Sequence, residues 1–283
     1  MSLQKNLILL NTLSFKKITN ALRIYLSFRI SFRKKSVTHS GMPMSASIEP
    51  TTHCNLRCPE CPSGLRNFSR ETGMLQESFF KKTVDQLSDE LIYLTFYFQG
   101  EPYLNPKFLE MVKYATDKKI FTSTSSNAHY LNDENAKKTV ESGLHKMIIS
   151  IDGATQESYE KYRVGGRLSK VLEGTRKIVD WKKKLRSKTP YIIMQFLVVS
   201  HNEHEMKEIK KMATELGVDE VKFKSAQVYD YENGNELIPK NEKYSRYEKT
   251  ENGKLKIKNE MINKCWRMWS GCVITWNGLV VPC

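Results

Sequence analysis

Short apolar runs recur between residues 44 and 224, each followed by a longer segment whose apolar residues return every three or four positions. The runs are 44–49, 92–98, 120–124, 146–151, 191–199 and 220–224. Most are rich in Ile, Val, Tyr or Phe, and several are nearly continuous rather than alternating. Strands of a parallel sheet read this way when both faces are covered. The segments between them have helical spacing. Asn105 reads as an N-cap with Pro106 at the first helical position, and Phe108, Met111, Val112 and Ala115 then share one face. Asn132 is expected to cap the next helix, with Ala136 and Val140 facing inward. Met206, Ile209, Ala213 and Leu216 repeat the pattern before Gly217, a C-terminal stop. Six β–α alternations imply a parallel sheet with right-handed crossovers, and six units fall short of the eight in a closed barrel. The expected fold class is therefore α/β, a partial (β/α)6 TIM-like barrel over residues 41–224.

Two flanks leave this pattern. Residues 225–260 are polar, with the turn signal Tyr231-Glu232-Asn233-Gly234-Asn235, and read as a linker. Residues 261–283 hold three of the four tryptophans and half the cysteines. That shift in composition marks a small C-terminal cysteine-containing hairpin module. Asn277-Gly278 supplies its turn, between Val273-Ile274-Thr275-Trp276 and Leu279-Val280-Val281.

Charge adds a third region. The formal net charge is +14. Residues 1–40 carry Lys5, Lys16, Lys17, Arg23, Arg29, Arg33, Lys34 and Lys35 with no acidic residue, so +8 resides there and +6 on the other 243 residues. The body is thus no strongly basic nucleic-acid binder, and nucleic acid is not an expected partner. Within this tail Ile18, Leu22, Tyr25 and Phe32 lie on one broad helical face that Arg29 interrupts. Two readings stay open: peripheral contact with an anionic membrane, or a helix packed on the barrel with a solvated cationic side. No stretch approaches 18 uninterrupted apolar residues, so no transmembrane helix is expected. The absence of an export signal points to a cytoplasmic protein, peripheral at the membrane if the tail binds there.

The six cysteines fall into two groups, Cys54, Cys58 and Cys61, and Cys265, Cys272 and Cys283. In a reducing compartment clustered thiols bind metal or do redox work rather than form disulfides. Cys54-x3-Cys58-x2-Cys61 directly follows the first strand. At this cysteine frequency such a spacing arises by chance roughly 0.003 times per chain. Three thiolates on one loop suit an iron–sulfur cluster, leaving one iron open. On spacing alone a zinc site completed by His53 is the competing reading, in a zinc-stabilised α/β binding protein with a membrane- or nucleic-acid-contacting tail.

The stretch Ile48-Glu49-Pro50-Thr51-Thr52-His53-Cys54-Asn55-Leu56-Arg57-Cys58-Pro59-Glu60-Cys61 resembles the cluster loop of the radical S-adenosylmethionine (SAM) superfamily, and the resemblance extends over residues 44–283. It implies a [4Fe–4S] cluster on Cys54, Cys58 and Cys61 whose open iron chelates SAM. It implies reductive cleavage of SAM to a 5′-deoxyadenosyl radical, hydrogen abstraction from a peptide or small-molecule substrate, and a reductant protein such as a flavodoxin or ferredoxin. Gln99-Gly100-Glu101-Pro102 resembles the family's Gly-Gly-Glu-Pro element, which holds the SAM amino group, and departs from it at Gln99; on its own it also reads as a strand-ending turn. By the same resemblance Ser150, in Ser150-Ile151-Asp152-Gly153, and Arg163 would meet the SAM carboxylate, and Asn127 is a further SAM contact. Arg163 equally reads as a solvated surface charge. Gln195, polar inside the fifth strand, points into the barrel or satisfies a neighbour. Cys265-Trp266-Arg267-Met268-Trp269, Cys272 and Pro282-Cys283 resemble the opening of a SPASM or twitch-type auxiliary cluster domain. That resemblance implies a second Fe–S centre on Cys265, Cys272 and Cys283, or else a hairpin with inert cysteines. Relatives continue with further cysteines beyond this point, so the module reads as the truncated start of such a domain.

Overall fold

A computed structural model describes residues 3–259 and 264–282, with side chains from residue 6 onward. Strands β1 (Ser45–Ile48), β2 (Tyr93–Phe96), β3 (Phe121–Ser126), β4 (Lys146–Ser150), β5 (Tyr191–Val198) and β6 (Glu220–Ser225) pair in sequence order, all parallel. A basic N-terminal pair, α1 (Leu3–Leu10) and α2 (Phe15–Lys34), precedes them. The connections carry α3 (Pro62–Leu65), α4 (Glu77–Leu87), α5 (Phe108–Asp117), α6 (Asp133–Glu141), α7 (Gln156–Tyr162), α8 (Leu168–Lys184) and α9 (Met206–Leu216). This is the expected partial barrel. The core lies between strands and helices. Ile48, Leu94, Phe96, Met147 and Ile149 face Phe80, Phe108, Met111 and Ile178, all buried. Phe96 meets Phe80 and Phe108 at ring distances of 5.5 and 5.8 Å.

Local signals held where no tertiary partner competed for the residue. The Asn132 side chain accepts from the Asn135 amide at 2.8 Å, and Gly217 ends α9 at φ +72°. Asn105 departs from expectation, because α5 starts three residues later. Its side-chain oxygen still accepts from the Lys107 amide at 2.9 Å, while its NH2 group donates to the Pro50 and Leu75 carbonyls at 2.8 and 3.0 Å, pinning the loop after β1.

The C-terminal hairpin is part of the sheet rather than set apart from it. After α10 (Trp266–Ser270), β9 (Gly271–Ile274) pairs parallel to β1, with Ile48 opposite Ile274, and β10 (Val280–Val281) returns antiparallel. The Thr275 amide donates to the Leu279 carbonyl at 2.9 Å and the Gly278 amide to the Thr275 carbonyl at 3.0 Å. With Gly278 at φ +88°, this is a three-residue hairpin loop. Cys283 lies outside the described residues.

A buried ion pair fastens the hairpin to the chain around the cysteine loop. Glu49 is fully buried, and both carboxylate oxygens accept from Arg70, at 2.5 and 2.9 Å. One also accepts from the Trp276 amide at 3.2 Å, while the Trp276 indole donates to the Glu71 carbonyl. Residues 225–260 are no bare linker either. They contain β7 (Tyr247–Lys249) and β8 (Leu255–Ile257), an antiparallel pair. Val228, Leu237 and Tyr247 from this segment are buried with Leu56, Cys58 and Tyr162, so it backs the cysteine loop.

Helix α2 docks through an unexpected face. Lys17, Asn20, Ile24 and Ser27 are buried, whereas Ile18, Leu22 and Tyr25 stay about half exposed. Backbone hydrogen bonding decides this. Lys17 Nζ donates to the Thr12 and Lys119 carbonyls, and Asn20 bonds both ways with Met42.

Replacing Arg70 with Ala leaves the Glu49 carboxylate buried without its cation, and is expected to lower stability by about 2–4 kcal/mol. Arg70→Lys should recover only part, because it cannot repeat the two-pronged contact. Denaturant unfolding of the three proteins checks this, and an unchanged midpoint for Arg70→Ala would contradict it.

Candidate functional site

The carboxyl edges of β1–β4 surround a cavity of 140 Å³. Its walls carry Cys54, Cys58 and Cys61 on one side, and Gln99, Gly100, Glu101, Asn127, Ser150 and Arg163 on the other. Eight side chains and Gly100, from five separate stretches of sequence, thus share one space. Leu56, Ser63, Gly64, Tyr97 and Phe98 complete much of the lining.

The loop holding the thiols is built from short local bonds. The Thr51 hydroxyl donates to the Gly73 carbonyl at 3.0 Å and accepts from the His53 amide at 3.1 Å. The Gly73 amide donates to the Thr52 hydroxyl at 2.9 Å. On the far side the Arg57 amide donates to the Val164 carbonyl, so the segment carrying Arg163 clasps the loop. Gly100 brings the opposite wall into place. It has φ +74°, and a Cβ there would stand 2.2 Å from the Thr51 carbonyl oxygen. The next amide, of Glu101, donates to the His53 carbonyl at 2.8 Å. Gln99, the departure from Gly, has a use of its own: its side-chain oxygen accepts from Ser63 at 2.9 Å and stands 4.0 Å from Cys61 Sγ. Ser63 in turn accepts from the Gly100 amide.

Each thiol has polar company. Cys58 is buried, with Arg163 Nη1 3.8 Å from its sulfur. Cys54 Sγ accepts from the Leu56 amide at 3.5 Å and lies 4.0 Å from Asn127 Nδ2. Burial pushes the Cys54 thiol up to about 11 and raises Cys58 too, against the pull of Arg163. Loading metal on thiols held this way must displace protons. Arg163 is not a free surface charge. Its side chain is only 18 % exposed, and Nε donates to Asp152 Oδ2 at 2.5 Å. Asp152 also accepts from the Leu197 amide, which anchors the arginine to β5. Asp152 sits in the quoted Ser-Ile-Asp-Gly motif, yet its role there was not legible, nor was that of Ser63. Gln195 pairs in register with Ser150 but is not among the residues lining the cavity.

Glu101 is fully enclosed, accepting from Ser126 and the Asn127 amide, each at 2.8 Å, and from the Tyr103 amide at 3.3 Å. Burial raises its pKa to about 7, even though those donors oppose the shift.

These walls fit a thiolate-held cluster better than a single ion. Zinc with three sulfurs would need them about 3.8 Å apart, from a Zn–S length near 2.3 Å. Among the described residues no three His, Cys, Asp or Glu side chains are set to hold one ion. His53 is exposed and does not line the thiol cavity, although the depression it does line also borders Cys54. A carboxylate, a serine and an arginine opposite the thiols offer partners for the ammonium and carboxylate of an amino acid. The cavity alone is small beside typical small-molecule sites. A second cavity of 420 Å³ shares Tyr97 and Phe98 with it and adds Ser45, Ser47, Arg267 and Cys272. Cys272 therefore faces this second space, while Cys265 is exposed beside Met268 and Trp269.

Known proteins resemble this chain in sequence and in fold. The family model described as Radical SAM superfamily matches residues 48–213. PqqA peptide cyclase of Bradyrhizobium diazoefficiens is 23% identical over 191 residues, covering 68% of this chain and 48% of its own. A mycofactocin maturase, MftC of Mycobacterium ulcerans, is 32% identical over 124 residues, 44% of this chain and 33% of its own. The chain thus spans about half the length, or less, of these relatives. In fold it is similar to Streptococcus suis SuiB bound to S-adenosylmethionine, with a TM-score of 0.65 at 14% identity, covering 92% of this chain and 64% of that one.

The raised Glu101 pKa carries a sign. With an ordinary value of 4.5 in the unfolded chain and about 7 in the fold, its contribution is complete below pH 4.5 and is lost as pH rises through 7. Metal-free protein should lose on the order of 3 kcal/mol from this group across that window. The stability difference between wild type and Glu101→Gln, measured by denaturant unfolding from pH 4.5 to 7.5, should therefore shift steadily against wild type. A pH-independent difference would contradict it.

Proposed function

The chain belongs to the radical SAM superfamily, and from that premise we propose that it cleaves SAM reductively and uses the product to abstract hydrogen from a peptide substrate. The observation that carries this reading is the convergence of Cys54, Cys58 and Cys61 with Glu101, Ser150 and Arg163 on one cavity. Family membership implies a [4Fe–4S] cluster and SAM as cofactors. Held by the three thiolates, such a cluster would supply the electron that breaks the SAM carbon–sulfur bond.

The chain's own residues then have assignable tasks. Glu101 faces the SAM ammonium, which would draw its carboxyl toward the ionised form. Arg163, steadied by Asp152, would meet the SAM carboxylate together with Ser150, and Asn127 lies against the Cys54 side of the loop. Gly100 allows the approach of the two walls. The segment 225–260 keeps water from the back of Cys58. A peptide substrate is supported by the relatives, a PqqA peptide cyclase and a mycofactocin maturase. The 420 Å³ cavity that shares Tyr97 and Phe98 with the thiol cavity is where the reacting side chain would enter. A flavodoxin or ferredoxin would reduce the cluster. Cys265 and Cys272 line separate cavities, so a second cluster on Cys265, Cys272 and Cys283 would require this module to rearrange. Family membership speaks against a zinc-stabilised binding protein, as does the lack, among the described residues, of three such side chains set to hold one ion.

Anaerobically reconstituted protein with reductant should form 5′-deoxyadenosine from SAM, and a variant with Cys54, Cys58 and Cys61 all changed to Ala should form none. Arg163→Lys, which keeps a cation beside Asp152 but loses the two-pronged fork, should keep its iron yet need roughly tenfold or more SAM for half-maximal cleavage. Equal 5′-deoxyadenosine from wild type and the triple variant would overturn the assignment.

A further inference from the structure

Helix α2 is turned the opposite way from most surface helices. Its polar stripe, Lys17, Asn20 and Ser27 with Ile24, is buried on the barrel. Its outer stripe is apolar: Phe15 is 82% exposed, Ile18 52%, Leu22 54% and Leu26 49%. At 100° per residue these four project within about 80° of one another. Ile30, 41% exposed, continues the stripe, and Leu7 and Leu10 of α1 stand exposed before it. Contiguous apolar surface of this kind marks an interaction site rather than scattered exposed residues.

Charge identifies the occupant. Arg23 lies at one margin of the stripe, and Arg29 and Arg33 follow on the outer face toward the helix end; all three are exposed. No acidic residue occurs in the first 40. An apolar strip bordered by Arg23 and interrupted by Arg29 and Arg33, with Asp89 beside it already paired to Lys16, complements the headgroups and outer acyl region of an anionic bilayer. A second feature agrees. Between α2 and α10 runs a cleft of 630 Å³ walled by Phe28, Phe32, Met268 and Trp269, with Lys35 and Lys264 also lining it. Such a cleft suits an acyl chain beneath an anionic headgroup.

Position agrees as well. Lys16 pairs with Asp89, Lys17 reaches Lys119, and Asn20 bonds to Met42. These partners lie in the segments entering β2, β3 and β1, so α2 underlies the amino edges of the strands. The thiol cavity opens at the carboxyl edges, away from that surface. Among the described residues no helix is long and apolar enough to cross a membrane, so α2 itself would lie in the surface rather than span it.

We propose that the outer face of α2 lies in the surface of an anionic lipid bilayer and holds the barrel there with its cysteine cavity facing away. This is independent of the reaction proposed above. Full-length protein should co-sediment with vesicles containing phosphatidylglycerol, bind pure phosphatidylcholine weakly, and release in about 0.5 M salt. A variant carrying Ile18→Ser, Leu22→Ser and Leu26→Ser, and another carrying Arg23→Gln, Arg29→Gln and Arg33→Gln, should each bind at least about tenfold less, with unchanged circular dichroism. All six positions are exposed, so folding is not at stake. Wild type that stays in the supernatant, or variants that sediment like it, would overturn the proposal. So would wild type that forms a dimer lost in the serine variant without binding vesicles, which would assign the face to a second copy of the chain.

Discussion

The site depends on one close approach of backbone to backbone. The loop leaving β1 and the loop leaving β2 meet where Gly100 lies against the Thr51 carbonyl and the Glu101 amide bonds the His53 carbonyl. Only a residue without Cβ, at positive φ, can occupy that place. The contact lies between Cys54 on one strand end and Glu101 on the next, so it sets the distance between the thiol wall and its opposite. Asn105 reinforces it from below by bonding the Pro50 carbonyl, and Ser63 reinforces it from above by accepting from Gly100. Thiols, carboxylate and arginine become one site because parallel strands deliver their carboxyl ends to a common edge, and this contact closes the space between them.

Around that contact the fold trades solvation for order. Glu49, Glu101 and Asp152 are all nearly or wholly buried carboxylates beside the site. Glu49 has Arg70, Asp152 has Arg163, and Glu101 has only neutral donors. That difference is chemically sensible. A carboxylate already paired with an arginine is a structural post, whereas one facing neutral donors retains the capacity to accept a cation. The raised pKa of Glu101 expresses that unmet demand.

Much of this was legible in the sequence because it rests on local or highly regular signals. The strands appeared as continuous apolar runs, since both faces of a parallel sheet are covered. The cysteine spacing and the Gln-Gly-Glu-Pro stretch marked two walls of the cavity before their proximity was known. What was not legible was decided by distant partners. Asn105 has the form of an N-cap and its oxygen does accept from the Lys107 amide, but the bonds of its NH2 group to carbonyls 30 and 55 residues away carry no local signal. Residues 225–260 lack periodicity because their strands are three residues long, and Tyr247 gains its place by bonding Val228 rather than by any pattern. Ile18 and Leu22 were the natural candidates for the buried face of α2. Lys17 and Asn20 took that face because carbonyl and amide groups at the barrel floor needed their hydrogen bonds.

The most direct test of the account is electron paramagnetic resonance of the anaerobically reconstituted, reduced protein before and after addition of SAM. The account requires a [4Fe–4S] signal that changes shape when SAM is added, that is absent when Cys54, Cys58 and Cys61 are Ala, and whose response to SAM weakens in Gly100→Val. A cluster signal indifferent to saturating SAM would contradict it, because the three thiols would then not hold a cluster with a site open toward Glu101 and Arg163.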